Sequence, residues 1–238
     1  MGSSDIQPIR SLPRAFVPGL SDPLVDPFDL PKEEQNKFKK VLRLVDGDLV
    51  AVLPGDGRLV RCELTGDQCR PLDTVWPQTE SRLRLTVALG LSRPDSLEES
   101  IRMATEIGAA GFVVFPADRS VVRWDKVLAT KKFERLSNII REAAEVCFRT
   151  SLPKIEWRDS LKSVLTDWPE AVVFSEVEGL GSFELALGLE NATIVIGPEG
   201  GWSPREVSLI GERAVSLGPR VLRVDTAVAS ACARMLCS

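Results

Sequence analysis

From residue 82 onward the chain alternates short apolar runs with stretches of helical periodicity, and this alternation limits the folds available to it. A capping box from Ser96 to Glu99 predicts a first helix that ends at Gly108. Strands that alternate with helices form an α/β domain, so we predict a mostly parallel sheet covered on both faces. The predicted strands are RLRLTVALG, GFVVFPA, KIEW, AVVFSEV and TIVIG, and the later helices include KVLATKKFERLSNIIREAAEVCF, DSLKSVLTDW and FELALGLE.

The stretch IVIGPEGGWSPREV, residues 194–207, connects the last long apolar run to a well-signalled helix. Ser203 is the expected N-cap, Pro204 the first helical residue, and Glu206 completes a capping box. Gly200 and Gly201 can adopt positive φ and let another group approach the backbone closely. A plain strand-to-helix turn explains part of this pattern, but two glycines after Pro-Glu exceed what a turn needs. We favour a cradle for a ligand at the carboxyl end of a strand.

A second glycine turn lies in SLGPRVLRVDTA, residues 216–227. Here we predict a short strand, RVLRV, and a closing helix capped by Asp225. Two glycine turns separated by a single helix can meet at one edge of a sheet. We therefore hypothesise that both loops contribute backbone amides to one pocket for an adenosine-like group.

Residues 14–76 are predicted to form a smaller, β-rich domain. RAFVP and QCRPLDTVW are expected strands, and PKEEQNKFKKVLR is an expected helix that Pro31 opens. DLVAVLPGDGRLVRCEL predicts a hairpin in which Asp56 and Gly57 form a tight turn. A small barrel with one helix usually serves as an accessory binding domain. We predict a tail over residues 1–13, a linker over 77–81 and the main domain over 82–238.

The composition excludes several catalytic classes, because the chain has no histidine and no tyrosine. No Ser-His or Cys-His nucleophile pair and no His-containing zinc site can form, and we predict no metal site. The chemistry must use carboxylates, lysines, arginines, backbone dipoles or a reagent that is activated before it binds. The last option favours a group-transfer cofactor.

The cysteines and the hydropathy of the chain indicate its cellular compartment. The cysteines are odd in number and widely scattered, which is typical of core thiols in a reducing environment. No apolar run reaches the roughly 18 residues of a membrane span, and the opening MGSSDI lacks the order of a signal peptide. We therefore expect a cytoplasmic protein without a membrane partner. The cysteines are Cys62, Cys69, Cys147, Cys232 and Cys237.

The net charge of −4 argues against a nucleic-acid partner, but the distribution of charge along the chain favours one. Between Arg119 and Arg149 the chain has eight basic residues against four acidic ones. A solvated helix face explains such a cluster about as well as RNA does. Two basic clusters in an acidic chain favour RNA. The expected RNA-binding residues are Arg123 in the first cluster and Lys37, Lys39, Lys40 and Arg43 in KFKKVLR.

The pair IGPEGGWSPREV and SLGPRVLRVDTA resembles the C-terminal motifs of the ribosomal RNA small subunit methyltransferase E family. This family belongs to the SPOUT methyltransferases, which have a trefoil knot, and methylates N3 of a uridine in 16S ribosomal RNA. RAFVP and KVLRLVDGD are similar to its N-terminal PUA-like domain. MATEIGA and DRSVV are similar to its early catalytic motifs.

The resemblance implies an S-adenosylmethionine-dependent enzyme that acts on small-subunit ribosomal RNA as a homodimer. It places the cofactor in the knot. The implied cofactor-binding residues are Gly197, Pro198, Glu199, Gly200, Gly201, Leu217, Gly218, Leu222, Arg223, Thr226 and Ala227.

The chain departs from the family pattern in three stretches. Asn36 and Lys37 stand where a His-His pair is frequent, and Asp225 stands where Glu is common. The run Glu-Gln-x-Gly-Arg appears as Glu-Val-Cys-Phe-Arg, so Phe148 replaces a glycine. These changes leave the cofactor pocket largely intact and affect mainly the RNA-facing surface. An RNA-binding protein of the same fold, with altered target or lost catalysis, is therefore an alternative, as is a nucleotide-binding regulator.

A chain without histidine can catalyse methyl transfer, because this reaction mainly requires the enzyme to align the methyl group with the nucleophile. The uracil imide must lose a proton, and Arg119 and Arg149 are our candidates to stabilise the resulting anion. Ordinary solvated arginines are the alternative for both. Glu199 is expected to complement the positive end of the following helix rather than to act near the sulfonium.

Overall fold

The computed structural model describes residues 9–124, 126–176 and 189–237. The chain divides into two compact units, which we call the first and second unit. The first consists of Met1–Glu80 with Ala144–Leu152, and the second of Ser81–Ala143 with Pro153–Ser238. Within the described ranges, no helix combines the length and hydropathy needed to cross a membrane.

The first unit is built on a five-stranded sheet of order β1-β3-β4-β5-β2. β1 pairs with β3 in parallel, and the other neighbours are antiparallel. Helix α1 continues into a π-helical turn, Lys37–Val41, whose Phe38 is buried among the strands. The elements are β1 (Arg14–Phe16), β2 (Phe28–Asp29), α1 (Lys32–Asn36), β3 (Leu49–Leu53), β4 (Leu59–Thr65) and β5 (Gln68–Val75).

The hairpin β3–β4 confirms the predicted strand pair, but the predicted tight turn at Asp56-Gly57 is wrong. Five residues, 54–58, connect the strands, and Gly55 and Gly57 both have positive φ. The loop wraps around the buried guanidinium of Arg58, whose Nε lies 2.9 Å from a carboxylate oxygen of Asp56. A two-residue turn would leave no room for this internal ion pair.

The segment Ala144–Leu152 belongs to the first unit, although the sequence placed it within the second domain. Phe148 is buried with Leu12 and Phe16 in a hydrophobic cluster. Its backbone is left-handed, with φ of +63°. The apolar contacts of this ring explain why the segment packs with the N-terminal strands.

The second unit confirms the predicted parallel sheet. Among the described residues, six strands have the order β11-β9-β10-β6-β7-β8, and every neighbouring pair is parallel. The strands are β6 (Arg84–Gly90), β7 (Gly111–Phe115), β8 (Lys154–Trp157), β9 (Val172–Phe174), β10 (Asn191–Ile196) and β11 (Ala214–Val215). The helices are α2 (Pro94–Ile107), α3 (Lys126–Val146), α4 (Leu161–Asp167), α5 (Pro204–Ile210) and α6 (Val224–Leu236). The predicted helical stretch FELALGLE lies mostly outside the described residues.

Two helix starts differ from the prediction. Helix α2 begins at Pro94 with Arg93 as N-cap, so Ser96 lies inside the helix and the predicted capping box is wrong. The reason is that proline favours the first helical position and starts the helix earlier. The end at Gly108 is confirmed by its left-handed φ of +116°. Helix α6 begins at Val224, with Arg223 rather than Asp225 as N-cap.

The predicted strand RVLRV is also wrong, because residues 217–223 are irregular. The edge strand is instead β11, whose Ala214 and Val215 pair with Val173 and Phe174 of β9. The apolar residues of RVLRV alternate over too short a distance to distinguish a strand from an extended loop.

The core of the second unit lies on both faces of the sheet. On one face Ala88, Val113 and Val195 pack with residues of α4 and α5. The alternate residues of β6, such as Val87, are also buried, and α6 contacts β6 and β10 while packing on α2. Because side chains alternate along a strand, the sheet is covered on both sides, as predicted.

Candidate functional site

The loop Gly197–Gly201 leaves the carboxyl end of β10 and leads into helix α5. The predicted capping box is confirmed, since the Glu206 backbone N–H donates to Ser203 Oγ over 3.2 Å and the Ser203 N–H donates to Glu206 Oε2 over 2.9 Å. The side chain of Trp202 fixes the loop to the sheet. Its indole N–H donates to the Phe174 carbonyl over 3.1 Å, and its ring stacks on Phe115 with centroids 6.4 Å apart.

Close contacts with neighbouring atoms explain three glycines around this loop. A Cβ on Gly200 would lie 2.8 Å from the Arg119 carbonyl oxygen, and one on Gly197 would lie 3.1 Å from the Trp202 ring. A Cβ on Gly90, at the end of β6, would lie 2.8 Å from the Pro198 ring. The loop therefore packs directly against the ends of neighbouring strands, and Gly200 lets the loop that carries Arg119 come within contact.

Glu199 connects this loop to the start of α2. Its Oε1 accepts hydrogen bonds from the Arg93 backbone N–H at 3.2 Å and from Arg93 Nε at 3.3 Å. Burial alone would raise the pKa of Glu199, but hydrogen bonds from its own backbone, from Arg93 and from Ser96 outweigh it. The pKa of this carboxyl is therefore below its ordinary value, and Glu199 is ionised at neutral pH.

The loop after β7 is fixed to the start of α5 by a second set of contacts. The Asp118 backbone N–H donates to Glu206 Oε1 over 2.9 Å, and Ser203 Oγ donates to Asp118 Oδ2 over 2.5 Å. Arg205 Nη2 donates to Asp118 Oδ1 over 2.6 Å. Arg205 and Ser203 hold the pKa of Asp118 below its usual range. The neighbouring Arg119 is exposed, and its Nη1 donates to the Gly200 carbonyl over 3.3 Å.

The second glycine turn leaves the same edge of the sheet. It follows β11, which is separated from β10 only by β9, and all three strands are parallel. Ser216 Oγ accepts from the Gly218 N–H and donates to the Gly218 carbonyl, which closes the turn. Gly218 has φ of +129°, and no atom lies within 4 Å of its hypothetical Cβ in the part of the chain that the structure describes. Thr226 and Ala227 lie in the first turn of α6.

The structure places the two candidate catalytic arginines in different units. Arg119 contacts the glycine loop of the second unit, whereas Arg149 belongs to the first unit and is buried. Its guanidinium forms an ion pair with Glu80, with Nε 3.1 Å from Oε2. Arg149 therefore has a structural partner within its own unit.

The basic residues predicted to bind RNA differ in their surroundings. Lys37 Nζ lies 2.6 Å from Glu145 Oε2 and 3.1 Å from the buried Glu34. Lys39 forms an ion pair with Asp67. Lys40 and Arg43 are exposed in the first unit, and Arg123 is exposed in the second. Exposed cations are the ones that can reach phosphate without breaking an internal ion pair.

The cysteines confirm the prediction of core thiols at three of five positions. Cys62, Cys69 and Cys232 are buried, Cys147 is partly exposed and Cys237 is exposed. Burial raises the pKa of Cys232 to about 12. In the described ranges, no group of acidic residues and cysteines is arranged to hold a metal ion.

Comparison with known proteins decides the family. The family model described as an RNA methyltransferase domain matches residues 79–236. The ribosomal RNA small subunit methyltransferase E of Bacillus subtilis is 33% identical over 84% of this chain and 86% of its own length. The chain belongs to the ribosomal RNA small subunit methyltransferase E family. The enzyme of the same name from Synechocystis is 35% identical over 83% of this chain and 69% of its own length.

A solved structure shows the same fold. A Legionella pneumophila protein described as a methyltransferase, in complex with the bound cofactor S-adenosylmethionine, superposes with a TM-score of 0.84. It is 26% identical, and the match covers 92% of this chain and 95% of that one. The resemblance of the two C-terminal motifs is thus confirmed at the level of family and fold.

Sequence reasoning missed Arg93 and Asp118 as parts of this site. Both follow strands, β6 and β7, whose carboxyl ends lie at the same edge as that of β10. In a parallel sheet that position is itself a signal, because ligands bind beyond the carboxyl ends of the strands. The charged residues that follow each predicted strand could therefore have been grouped before the structure was known.

Proposed function

We propose that this chain uses S-adenosylmethionine to methylate N3 of a uridine in 16S ribosomal RNA. The observation that carries the proposal is the contact between Gly200 and Arg119, which brings a cation against the glycine loop. Family membership and the cofactor-bound Legionella structure support the reaction type and the cofactor. The uridine N3 position follows from the resemblance of the motifs.

The residues at the sheet edge fit the cofactor. Gly200 has no room for a side chain and Gly197 only a tight space against Trp202, while Gly201, with φ of +64°, has open space around its hypothetical Cβ among the described residues. Ser92 adds a buried hydroxyl without a hydrogen-bond partner in the described chain. The holding residues would be Gly197, Pro198, Glu199, Gly200, Gly201, Leu217, Gly218, Leu222, Arg223, Thr226 and Ala227. When bound, S-adenosylmethionine supplies a methyl group on a positively charged sulfur.

The side chains then have two tasks, which are alignment of the base and stabilisation of its anion. Arg119 is exposed beside the loop, so its guanidinium can lower the free energy of the uracil anion after N3 loses its proton. Glu199 is a poor general base because its pKa is lowered. We propose that the imide ionises to solvent, so the single-turnover rate should climb steadily from neutral to alkaline pH.

The finer features of fold and assembly are part of the same proposal. We assign residues 14–76, together with Ala144–Leu152, to a PUA-like barrel, 77–81 to a linker and the rest of 82–238 to a trefoil-knotted domain. Val207, Leu209 and Val221 are exposed apolar residues of the second unit, with 44%, 37% and 77% of their surface accessible. These exposed apolar side chains, on α5 and in the second glycine turn, are our candidates for a homodimer interface. A ribosomal RNA substrate supports a cytoplasmic location.

For RNA binding we propose Lys40, Arg43 and Arg123, whose cations are exposed. Changing Lys40 and Arg43 to Ala should weaken RNA binding and reduce the salt slope by about 0.7 to 0.9 per lost phosphate contact. Lys39→Ala is the matched control, because its ammonium is exposed as well but already pairs with Asp67 at the surface. An equal slope loss in the control would show that surface pairing does not select the RNA-binding cations.

One observation favours a second candidate, an RNA-binding protein that has lost methyl transfer. Phe148 and Lys37 replace residues of the family pattern, and the Phe148 ring is buried in the first unit while Lys37 is held by ion pairs with Glu34 and Glu145. Labelled methyl transfer from S-adenosylmethionine to small-subunit RNA separates the two. RNA binding without label in the RNA would favour the second candidate. Label that depends on Arg119 would favour the enzyme.

A further inference from the structure

The capping residue Glu206 has a second contact that a helix cap does not need. Its side chain is only 2% exposed, and both carboxylate oxygens accept backbone N–H groups. Oε2 accepts from Ser203, which is the cap itself, whereas Oε1 accepts from Asp118 in the loop after β7. One buried carboxylate thus joins two loops at the carboxyl edge of the sheet.

The contact lies next to the residue on which the proposed reaction depends. Asp118 directly precedes Arg119, and its own carboxylate is held by Ser203 and Arg205 from the start of α5. On the other side, the Arg119 backbone touches Gly200. The position of Arg119 relative to the glycine loop is therefore set by contacts on both sides of its backbone.

We propose that Glu206 is a positioning residue of the methyl transfer, acting through the Asp118 N–H to hold Arg119 against the glycine loop. The inference rests on the proposed function of Arg119. An ionised carboxylate suits this task, because both oxygens can accept and each hydrogen bond to it is charge-assisted. An amide in its place has one acceptor oxygen, and its NH2 group would face one of the two N–H donors.

The test begins with Glu206→Gln, in which the two N–H donors compete for one oxygen. We expect the single-turnover rate to fall by about tenfold or more, as a displaced catalytic group predicts. The dissociation constant of S-adenosylmethionine should stay unchanged. The matched control is Ser163→Ala, because Ser163 is the equivalent residue in the capping box of α4. This control should leave the rate unaltered.

A double-mutant cycle shows whether Glu206 acts through Arg119. In an Arg119→Ala background, Glu206→Gln should produce no further loss of rate. A full additional loss would overturn the proposal and assign Glu206 a general structural role. If Arg119→Ala by itself leaves the rate unchanged, the proposed function of Arg119 has failed, and this outcome is distinct from failure of the positioning role.

Amide hydrogen exchange gives a readout that does not depend on activity. Exchange at the Asp118 N–H should speed up in Glu206→Gln, whereas exchange in the strands should not change. If Glu206→Gln does not fold, Glu206→Asp serves instead, because its shorter side chain cannot reach both N–H groups. Unaltered exchange at Asp118 in a folded variant would overturn the proposal.

Discussion

Gly200 and Phe148 occupy two positions at which the family pattern has glycine, and the chain treats them in opposite ways. At position 200 the glycine is kept, and a Cβ there would lie 2.8 Å from a backbone oxygen. At position 148 the glycine is replaced by phenylalanine, which adopts a left-handed φ of +63°. A position can require glycine for two reasons: a Cβ would overlap a neighbouring atom, or the backbone is left-handed.

A left-handed backbone can be tolerated by a residue other than glycine, whereas overlap with a neighbouring backbone cannot. A left-handed backbone costs a non-glycine residue about 1–2 kcal/mol, and the burial of a large ring can offset this. Phe148 gains that burial in the cluster with Leu12 and Phe16. Overlap with the Arg119 backbone has no such remedy, because a Cβ at position 200 would lie 2.8 Å from the Arg119 carbonyl oxygen and the loop that carries Arg119 would have to shift. Position 200 therefore requires glycine more strictly.

The largest effect is expected at Phe148, where the two contributions can be measured separately. Phe148→Ala removes the ring but keeps a side chain at positive φ, so the free energy of unfolding should fall by about 3–4 kcal/mol. Phe148→Gly loses the same ring but suits the backbone, so it should be about 1 kcal/mol more stable than Phe148→Ala. Urea unfolding of both variants measures the difference.

Ala144 supplies the matched control, since it is buried in the same cluster but lies in helix α3. Ala144→Gly should be destabilising by about 1 kcal/mol, the ordinary helical penalty. If Phe148→Gly were less stable than Phe148→Ala, backbone conformation would not be the reason for glycine at position 148.

The next effect concerns space at Gly200. Gly200→Ala should push the Arg119 loop away and lower the single-turnover rate by about 100-fold, equivalent to about 2.7 kcal/mol of activation free energy. Gly111→Ala is the control, because its Cβ would lie 3.5 Å from the Lys154 carbonyl, an ordinary contact. An unchanged rate in Gly200→Ala would show that the loop accommodates a side chain, and the comparison would fail.

A smaller effect distinguishes the two arginines that the sequence grouped together. Arg149→Met should lower the free energy of unfolding by about 2 kcal/mol, because it removes a buried charge-assisted pair with Glu80. Arg119→Met should change stability by less than about 0.5 kcal/mol, since Arg119 is exposed. It should instead slow methyl transfer. The reverse assignment of the two effects would make Arg149 the residue that acts in the reaction.

The smallest effect is the pH dependence of stability at Glu199. The folded-state pKa of Glu199 is lowered, so its contribution is present above the unfolded-state pKa of about 4.3 and is lost as pH falls through the folded-state value. The variant Glu199→Gln has no carboxylate at this position, so it does not lose stability in this way as pH falls. The stability difference between wild type and variant should therefore shrink as pH falls below about 5. A difference that grows on acidification would mean that the pKa is raised.

Local patterns predicted much of the fold. The alternation of strands and helices and the Ser203 capping box were correct because periodicity and capping depend on residues close in sequence. The start of α2 was missed because two signals, Pro94 and Ser96, competed within three residues. The hydrogen bond between Asp118 and Glu206 joins residues 88 positions apart, so no local pattern could reveal it. The same holds for the ion pair of Arg149 with Glu80, which are 69 positions apart.

The most direct test of the account is mass-spectrometric analysis of nucleosides from small-subunit RNA incubated with the chain and methyl-labelled S-adenosylmethionine. The account predicts labelled 3-methyluridine in the wild-type reaction and much less in Gly200→Ala. The label at a ribose oxygen or at C5 of the base would contradict the N3 assignment. Absence of label from RNA that the chain binds would contradict the assignment of an enzyme.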